Sequence, residues 1–273
     1  MVIDVGRCVG CYNCFLACRD EHAGNDHTPV AVAQPESGHR WIDIHVREQG
    51  SFPVLRVSYT PVPCLHCQDA PCMSAARDGA IRRRADGIVL IDPNKATGQR
   101  GLVEACPYGA IYWNKSANTA QKCTFCAHLL DQSWKQPRCV EVCPTQALIF
   151  GDLEDPTSEV AKQAAMATIE DLRPDFHARP LVRYLNLPTT LVTGEVVLAD
   201  QPDLPAPGIQ VTVRRDAEVR AVTTDSYGDF EFKGLTSKQQ YLLLLDHPGY
   251  APRELKFSTS ADVNLGAIIL ERL

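Results

Sequence analysis

CVGCYNCFLAC, the stretch from Cys8 to Cys18, places four cysteines at the spacing C-x2-C-x2-C-x3-C. Bacterial ferredoxins use this spacing: three thiolates on one tight loop bind three iron atoms of a 4Fe–4S cluster, and the fourth cysteine binds a different cluster. Structural zinc sites, the alternative, usually combine two separated C-x2-C pairs. The run therefore predicts an iron–sulfur protein in which distant segments share clusters.

The other cysteines form three further runs, and no cysteine follows Cys143. These runs are Cys64, Cys67 and Cys72; the single Cys106; and Cys123, Cys126, Cys139 and Cys143. A disulfide framework is typical of short secreted proteins, whereas this chain has 273 residues and starts MVIDVGRC, which is not a signal-peptide pattern. Metal binding is therefore the better explanation of the twelve cysteines.

An internal repeat explains why two of the runs look incomplete. ACPYGAI (105–111) matches VCPTQAL (142–148), and AARDGAI (75–81) matches both, with Ala76 at the cysteine position. The dipeptide Ile3-Asp4 lies just before Cys8, and Ile91-Asp92 lies at the same distance before Ala96. Applying the cysteine spacing of the first run from Ala96 onward leads to residues 99, 102 and 106. The third run therefore has the form of the first, with Ala96, Gln99 and Leu102 in place of three cysteines.

Exchange of the last cysteine between paired runs gives three complete 4Fe–4S clusters. The predicted ligands are Cys8, Cys11, Cys14 and Cys143 for cluster one; Cys123, Cys126, Cys139 and Cys18 for cluster two; and Cys64, Cys67, Cys72 and Cys106 for cluster three. A fourth cluster would use residues 76, 96, 99 and 102, which are all non-ligands. Since every replacement falls on one cluster, the pattern supports the exchange.

The charge, the apolar segments and the motifs of the sequence exclude several classes of function. The formal net charge of −6 disfavours nucleic-acid binding, and no segment approaches the roughly 20 apolar residues that span a membrane. We expect a cytoplasmic protein, with export by a partner's signal as the open alternative. No P-loop, GxGxxG or HExxH motif indicates a catalytic site, so we expect a non-catalytic electron-transfer subunit. His66 and His128 adjoin cluster cysteines but are not needed as ligands.

The predicted fold class is α+β, with a tandem ferredoxin-like 4Fe–4S domain followed by a small all-β sandwich, transthyretin-like or immunoglobulin-like. The first domain covers 1–150, with an insertion at 19–63, and the second covers 189–273 with about seven alternating strands. Residues 151–188 are expected to form a helix and an extended linker. The helix is capped by Thr157 or Ser158 and ends near Leu172, before Pro174.

The four runs together resemble the electron-transfer subunits of the dimethyl sulfoxide reductase family of molybdopterin enzymes. Those subunits usually carry four clusters, whereas this sequence lacks the ligands for one of the four. Five features are similar to a single branch, that of pyrogallol–phloroglucinol transhydroxylase and resorcinol hydroxylase. They are the missing cluster, GHRWIDI (38–44), ACPYGAIYWN (105–114), QKCTFCAHLLD (121–131) and the β-domain. The β-domain is similar to transthyretin-like and carboxypeptidase-regulatory-like domains.

The resemblance implies a heterodimer whose large subunit holds a molybdenum bis-pterin cofactor. It further implies that the complex transforms a polyhydroxylated arene by hydroxyl transfer or hydroxylation; the spacing of residues in this chain says nothing about that substrate. Two alternatives stay open: an electron-transfer subunit of a different molybdopterin oxidoreductase, and a free-standing polyferredoxin.

Overall fold

A computed structural model describes residues 1–51, 54–236 and 238–273. The chain forms two compact units. The first comprises Met1–Val46 and Ser58–Leu187, and the second comprises Arg47–Val57 and Pro188–Leu273. All twelve cysteines lie in the first unit. The segment 47–57, although it lies between cysteine runs in the sequence, therefore belongs with the cysteine-free unit.

The first unit is built from short helices and strands joined by loops. Its helices are α1 (Asn13–His22), α2 (Pro71–Ala75), α3 (Ala127–Leu130), α4 (Arg138–Glu141) and α5 (Glu159–Met166). Its strands are β1 (Val2–Asp4), β2 (Ile42–Ser51), β3 (Val54–Pro63), β4 (Ile81–Arg83), β5 (Val89–Ile91), β6 (Tyr112–Asn114), β7 (Thr119–Gln121), β8 (Leu148–Ile149) and β9 (Arg183–Leu185). The end of β2 and the start of β3 belong to the second unit. Among the described residues, no helix has the length and apolar character needed to cross a bilayer.

A three-stranded sheet holds the two ends of the cysteine-rich sequence together. The fully buried β1 lies in its centre, antiparallel to β8 through the pair Ile3↔Leu148 and parallel to β9 through the pair Ile3↔Tyr184. The N–H of Asp4 also donates to the carbonyl oxygen of Ala147 at 2.7 Å. Because β1 leads directly into Cys8 and β8 closely follows Cys143, this sheet positions the first and last cysteine runs side by side.

Two small antiparallel hairpins, β4–β5 and β6–β7, follow the second and third runs. The apolar residues of β5 are all buried, and Ile81 and Ile111 join them in one continuous core. Eight of the cysteines are themselves buried and most belong to this core. The interior of the first unit is thus organised around thiols as much as around aliphatic side chains.

The predicted helix after residue 150 forms, but it is shorter than expected. Ser158 caps it, accepting from the N–H of Ala161 at 3.2 Å, as predicted. The expected end near Leu172 is wrong, because α5 stops at Met166 and Ala167 is already extended. Glu170 and Tyr184 then exchange two backbone hydrogen bonds of 2.8 Å, so this part of the chain pairs with β9 instead of continuing the helix. The expected extended linker therefore includes a sheet strand.

The second unit contains the all-β sandwich that the sequence predicts. Within the described residues it has seven strands of its own: β10 (Thr190–Leu198), β11 (Gln210–Arg215), β12 (Glu218–Thr223), β13 (Asp229–Leu235), β14 (Gln240–Leu245), β15 (Arg253–Ser258) and β16 (Val263–Leu270). They form a three-stranded sheet, β13-β10-β16, and a four-stranded sheet, β12-β11-β14-β15. Alternate residues such as Phe232, Leu243 and Leu245 are buried in one shared core.

Segment 47–57 is tied to this sandwich by ion pairs. Arg47 donates both to the carboxylate of Asp262, at 3.0 and 3.2 Å, and to the carbonyl oxygen of Pro188. Arg56 binds the carboxylate of Glu231 with two hydrogen bonds of 2.9 and 3.0 Å. These bidentate contacts explain why a segment inserted between cysteine runs belongs to the second unit.

Candidate iron–sulfur sites

The cluster-one cysteines come together where the first loop meets the end of the last run. The pKa of Cys14 is raised to about 12, chiefly by burial and to a smaller extent by the neighbouring Cys8, Cys143 and Cys11. Burial likewise raises the pKa of Cys8, with smaller contributions from Cys143 and Cys11. Cys14 is buried, Cys8 and Cys143 are half-buried, and Cys11 is exposed. The structure thus brings together the four residues predicted for cluster one.

The loop between these cysteines depends on residues with positive φ. Gly10 has φ +66°, and a Cβ atom there would lie 2.5 Å from the ring of Tyr59. Tyr12, at φ 61°, precedes the first residue of α1. Such conformations let a short loop turn its thiols toward one point while its backbone N–H groups face the sulfur atoms.

The cluster-two cysteines meet because α1 packs against α4. Burial raises the pKa of Cys18 on α1 well above its ordinary value, and Cys123 and Cys126 add to the effect. Burial raises the pKa of Cys139 on α4 in the same way, with further contributions from Cys123, Cys126 and Cys18. All four thiols are buried. Cys18 therefore lies with the last run and not only with its sequence neighbours, as exchange requires.

The cluster-three cysteines line one cavity. Cys64, Cys67, Cys72 and Cys106 all face it, together with the apolar side chains of Leu65, Val89 and Ile111. The pKa of Cys67 is raised to about 12 and that of Cys72 to about 11, chiefly by burial, and Cys64 and Cys106 contribute to both shifts. Cys106, the isolated cysteine of the sequence, thus lies with the second run.

The donor set fits iron–sulfur clusters. All twelve cysteines are free thiols, and thiolate sulfur is the ligand that holds 4Fe–4S clusters. Backbone N–H groups also point at sulfur: Phe125 donates to Cys123 at 3.4 Å, and Ala147 donates to Cys143 at 3.3 Å. Such N–H···S contacts stabilise the anionic clusters that thiolates hold.

The positions of the absent fourth cluster are filled by packing and hydrogen bonds. Ala96 is completely buried and Leu102 nearly so, while Ala76 packs at the edge of the same core. The Gln99 side chain accepts from the N–H of Arg77 at 3.0 Å and donates to the carbonyl oxygens of Arg77 at 3.2 Å and Lys95 at 2.7 Å. The residues that would have held a cluster thus close the space themselves.

The groups influence one another electrostatically. Besides burial and the cysteines of their own set, Cys14 of the first group raises the pKa of both Cys18 and Cys139. After burial, the next largest influence on the pKa of Cys123 is Cys64, a cysteine of the third group. The second group is therefore linked electrostatically to each of the other two.

Lys122 is a buried cation that sequence reasoning did not single out. Its Nζ donates to the carbonyl oxygens of Val89 and Cys123, the latter at 3.1 Å. Burial raises the pKa of Cys72, Cys106 and Cys123, and the charge of Lys122 opposes this rise at all three. A buried positive charge between two groups of thiols partly offsets their negative charge. Its position directly before Cys123 is the one signal that could have identified it.

His66 lies beside cluster three but is held by other contacts. Its Nδ1 accepts from the N–H of Val89 at 3.0 Å, and its ring stacks on Phe125 at a centroid distance of 3.9 Å. It is therefore a buried residue that packs between the second and fourth runs.

Two domain families match the chain. Residues 55–153 match the 4Fe-4S dicluster domain, and residues 192–268 match the carboxypeptidase regulatory-like domain. The first match coincides with the second, third and fourth cysteine runs, and the second match coincides with the seven-stranded sandwich. Both agree with the fold class predicted from the sequence.

Curated relatives match over different lengths. The small subunit of pyrogallol hydroxytransferase from Pelobacter acidigallici is 38% identical over 99% of this chain and 98% of its own. The arsenate respiratory reductase iron-sulfur subunit ArrB of a Shewanella species is 29% identical over 68% of this chain and 94% of its own. A tetrathionate reductase subunit from Salmonella typhimurium is 36% identical over 71% of this chain and 74% of its own. The first of these similarities thus extends over nearly the whole of both chains.

Proposed function

Because the chain belongs to the family of iron–sulfur electron-transfer subunits of molybdopterin enzymes, represented by the pyrogallol hydroxytransferase small subunit, we propose that it holds three 4Fe–4S clusters for a catalytic partner. Each cluster, when bound, supplies storage and transfer of one electron. The ligand sets are the three exchanged groups derived above. The observation that carries the proposal is the grouping of twelve free thiols into three sets of four, each joining distant segments.

The path through the subunit runs from cluster one through cluster two to cluster three. The support is the electrostatic influence of Cys14 on the pKa of Cys18 and Cys139, and that of Cys64 on the pKa of Cys123. Lys122 stands at the second of these junctions. The chain's own residues thus supply the order of the sites, the N–H donors that face the sulfur atoms, and a buried compensating charge.

The proposed partner is a large subunit that holds a molybdenum bis-pterin cofactor, and it covers the face around cluster one. Cys11 is exposed there, and the apolar side chains of Val9 and Leu16 are 60% and 58% exposed. Large exposed apolar side chains beside a redox group are expected at a protein–protein interface. Val9→Asp should therefore weaken copurification of the two subunits, whereas Val219→Asp, at an equally exposed valine of the second unit, should not.

The proposed substrate of the complex is a polyhydroxylated arene, which undergoes hydroxyl transfer or hydroxylation at the partner, in the cytoplasm. The support is the 38% identity over nearly the whole chain, since other relatives match about 59–71% of it. An electron-transfer subunit for another molybdopterin oxidoreductase is the second candidate, favoured by the similarity to the arsenate and tetrathionate reductase subunits.

Anaerobic co-expression with a candidate large subunit tests the proposal. We expect a complex with about 12 irons on this chain, three cubanes of four irons each, and molybdenum on the partner. Turnover of pyrogallol or resorcinol, with none of arsenate, tetrathionate, sulfoxide, nitrate or formate, would support the first candidate over the second. A monodisperse single chain that never binds a large subunit would contradict both and indicate a free-standing polyferredoxin.

A further inference from the structure

Three histidines from three segments of the first unit converge beside Cys126. His22 is the last residue of α1, His27 lies in the following loop, and His128 lies on α3. One ring nitrogen of each can be chosen so that all three atoms lie within 4.8 Å of one another. The rings of His27 and His128 are stacked at 3.7 Å, and His22 meets both edge-on at 5.2 and 5.3 Å. None of the three is required by the cluster assignments.

Each ring has one nitrogen, Nε2, that is already engaged. Nε2 of His128 donates to the carboxylate of Glu21 at 2.8 Å, and Nε2 of His27 donates to the backbone carbonyl oxygen of the same residue at 2.9 Å. Nε2 of His22 faces the sulfur of Cys126 at 3.7 Å. A histidine whose Nε2–H is donated to an oxygen acceptor presents its Nδ1 as a bare lone pair, the arrangement usual around metal-binding histidines.

Two of the remaining nitrogens are buried without a partner. Among the described residues, Nδ1 of His22 and Nδ1 of His128 have no hydrogen-bond partner, and His22 is only 2% exposed. A buried polar atom without a partner destabilises the fold. A cation bound to these nitrogens would give them partners, and the side chain of His27 is 19% exposed, so the cluster is not sealed from solvent.

We propose that His22, His27 and His128 bind a divalent transition-metal ion, most suitably Zn²⁺, through one ring nitrogen of each. Imidazole nitrogens suit Zn²⁺ and its neighbours, whereas Ca²⁺ and Mg²⁺ prefer oxygen ligands. Tetrahedral zinc holds nitrogen at about 2.0–2.1 Å, so its ligand atoms lie roughly 3.4 Å apart. The three rings therefore move together by roughly an ångström when the ion binds. A solvent molecule completes the coordination.

The ion would cross-link the end of α1, the loop after it and α3, and so restrict their movement beside the cluster-two loop. Glu21 is part of this arrangement, because its carboxylate also lies 3.4 Å from Arg138 on α4. The site is chemically separate from the clusters: its ligands are nitrogens, and the nearby sulfur of Cys126 belongs to cluster two. The expected role is structural, since no second exposed nucleophile or base among the described residues accompanies the ion.

The test is metal analysis of the intact complex, purified anaerobically and equilibrated with one equivalent of Zn²⁺ before gel filtration. We expect one zinc per complex in addition to the iron, and an X-ray absorption spectrum of zinc that shows nitrogen or oxygen neighbours at about 2.0–2.1 Å and no sulfur at about 2.3 Å. His27→Phe, which keeps a ring to stack on His128 but removes the nitrogen, should lose the zinc while the iron content stays unchanged.

His45→Phe is the matched control, because His45 is an exposed histidine of β2 in the same unit and outside the site; it should retain the zinc. If wild type and His27→Phe carry the same zinc content, or if the zinc shows sulfur neighbours, the proposal is wrong: the ion is then absent, or it occupies cysteines. If His27→Phe lowers the iron content, His27→Gln is measured instead, because it changes the side chain less. Loss of zinc in His27→Gln would then support the proposal, and an unchanged zinc content would contradict it.

Discussion

The side chain of Gln99 forms two hydrogen bonds with the backbone of Arg77, accepting from its N–H at 3.0 Å and donating to its carbonyl oxygen at 3.2 Å. Gln99 stands at a cysteine position of the third run, and Arg77 directly follows Ala76, the cysteine position of the second. The amide therefore links the two segments that a fourth cluster would have linked. Hydrogen bonds to the backbone thus stand where a metal–thiolate bridge would have been.

Restoring the four thiols should restore the cluster. In the quadruple variant Ala76→Cys, Ala96→Cys, Gln99→Cys, Leu102→Cys, the repeat becomes complete, and we expect the iron content to rise from about 12 to about 16 per chain. An additional spin system should appear in the electron paramagnetic resonance spectrum of the reduced protein. Gln99→Cys alone is the control, because one thiol cannot hold a cubane. An unchanged iron content in a folded quadruple variant would count against the repeat alignment.

Exchange of cysteines predicts a specific non-additivity. Cys72→Ala and Cys106→Ala should each damage cluster three and spare the other two, because both thiols face the same cavity. The double variant should then lose no more iron than the worse of the two single variants, since residues that act on one unit are not additive. Iron analysis with resonance spectra of the remaining clusters measures this. Additive losses, or an undamaged Cys106→Ala protein, would favour local pairing instead.

The sequence could predict a 4Fe–4S domain because thiolate chemistry fixes the spacing of ligands within a run; the exchange of each fourth cysteine stays a prediction. The seven-stranded sandwich was likewise predictable, because Phe232, Leu243 and their neighbours alternate with exposed residues. The cysteine spacing and the alternation of buried residues are both local patterns that can be read from the sequence.

Long-range packing could not be predicted in this way. The helix from Ser158 has a clear cap but no clear stop, and its end at Met166 results from pairing of Glu170 with Tyr184. Segment 47–57 is predicted as part of an insertion, whereas the ion pairs of Arg47 and Arg56 and the hydrogen bonds of Gln49 join it to the second unit. The burial of Lys122 and the meeting of three histidines depend equally on contacts between residues far apart in sequence.

Removal of the metal should unfold one unit and leave the other intact. The first unit is organised around its thiols, and the binding free energy of structural metal ions is on the order of 10 kcal/mol of folding free energy. The sandwich has its own apolar core without cysteine. After chelation of the iron under reducing conditions, amide hydrogen exchange should become fast before residue 150 and stay slow in β10, β11 and β14. Persistent protection around α1 and α4 would show that the thiol-rich core folds without clusters.

Replacing Lys122 should shift the reduction potentials of clusters two and three downward. Reduction adds a negative charge to each cluster, and the buried ammonium beside Cys123 stabilises the reduced form more than the oxidised form. Lys122→Met removes this charge at similar volume, so we expect a decrease on the order of 50–100 mV, since the interaction is one of unit charges several ångströms apart in a partly polar medium.

A redox titration followed by electron paramagnetic resonance measures this shift, and it resolves which clusters respond. Cluster one should change least, because Lys122 opposes the pKa rise of Cys72, Cys106 and Cys123, which belong to the other two sets. Lys135→Met provides the control, as Lys135 is exposed to solvent, where its charge is screened. Equal potentials in wild type and Lys122→Met, with full iron content in both, would mean that the backbone N–H donors compensate the clusters without help from this lysine.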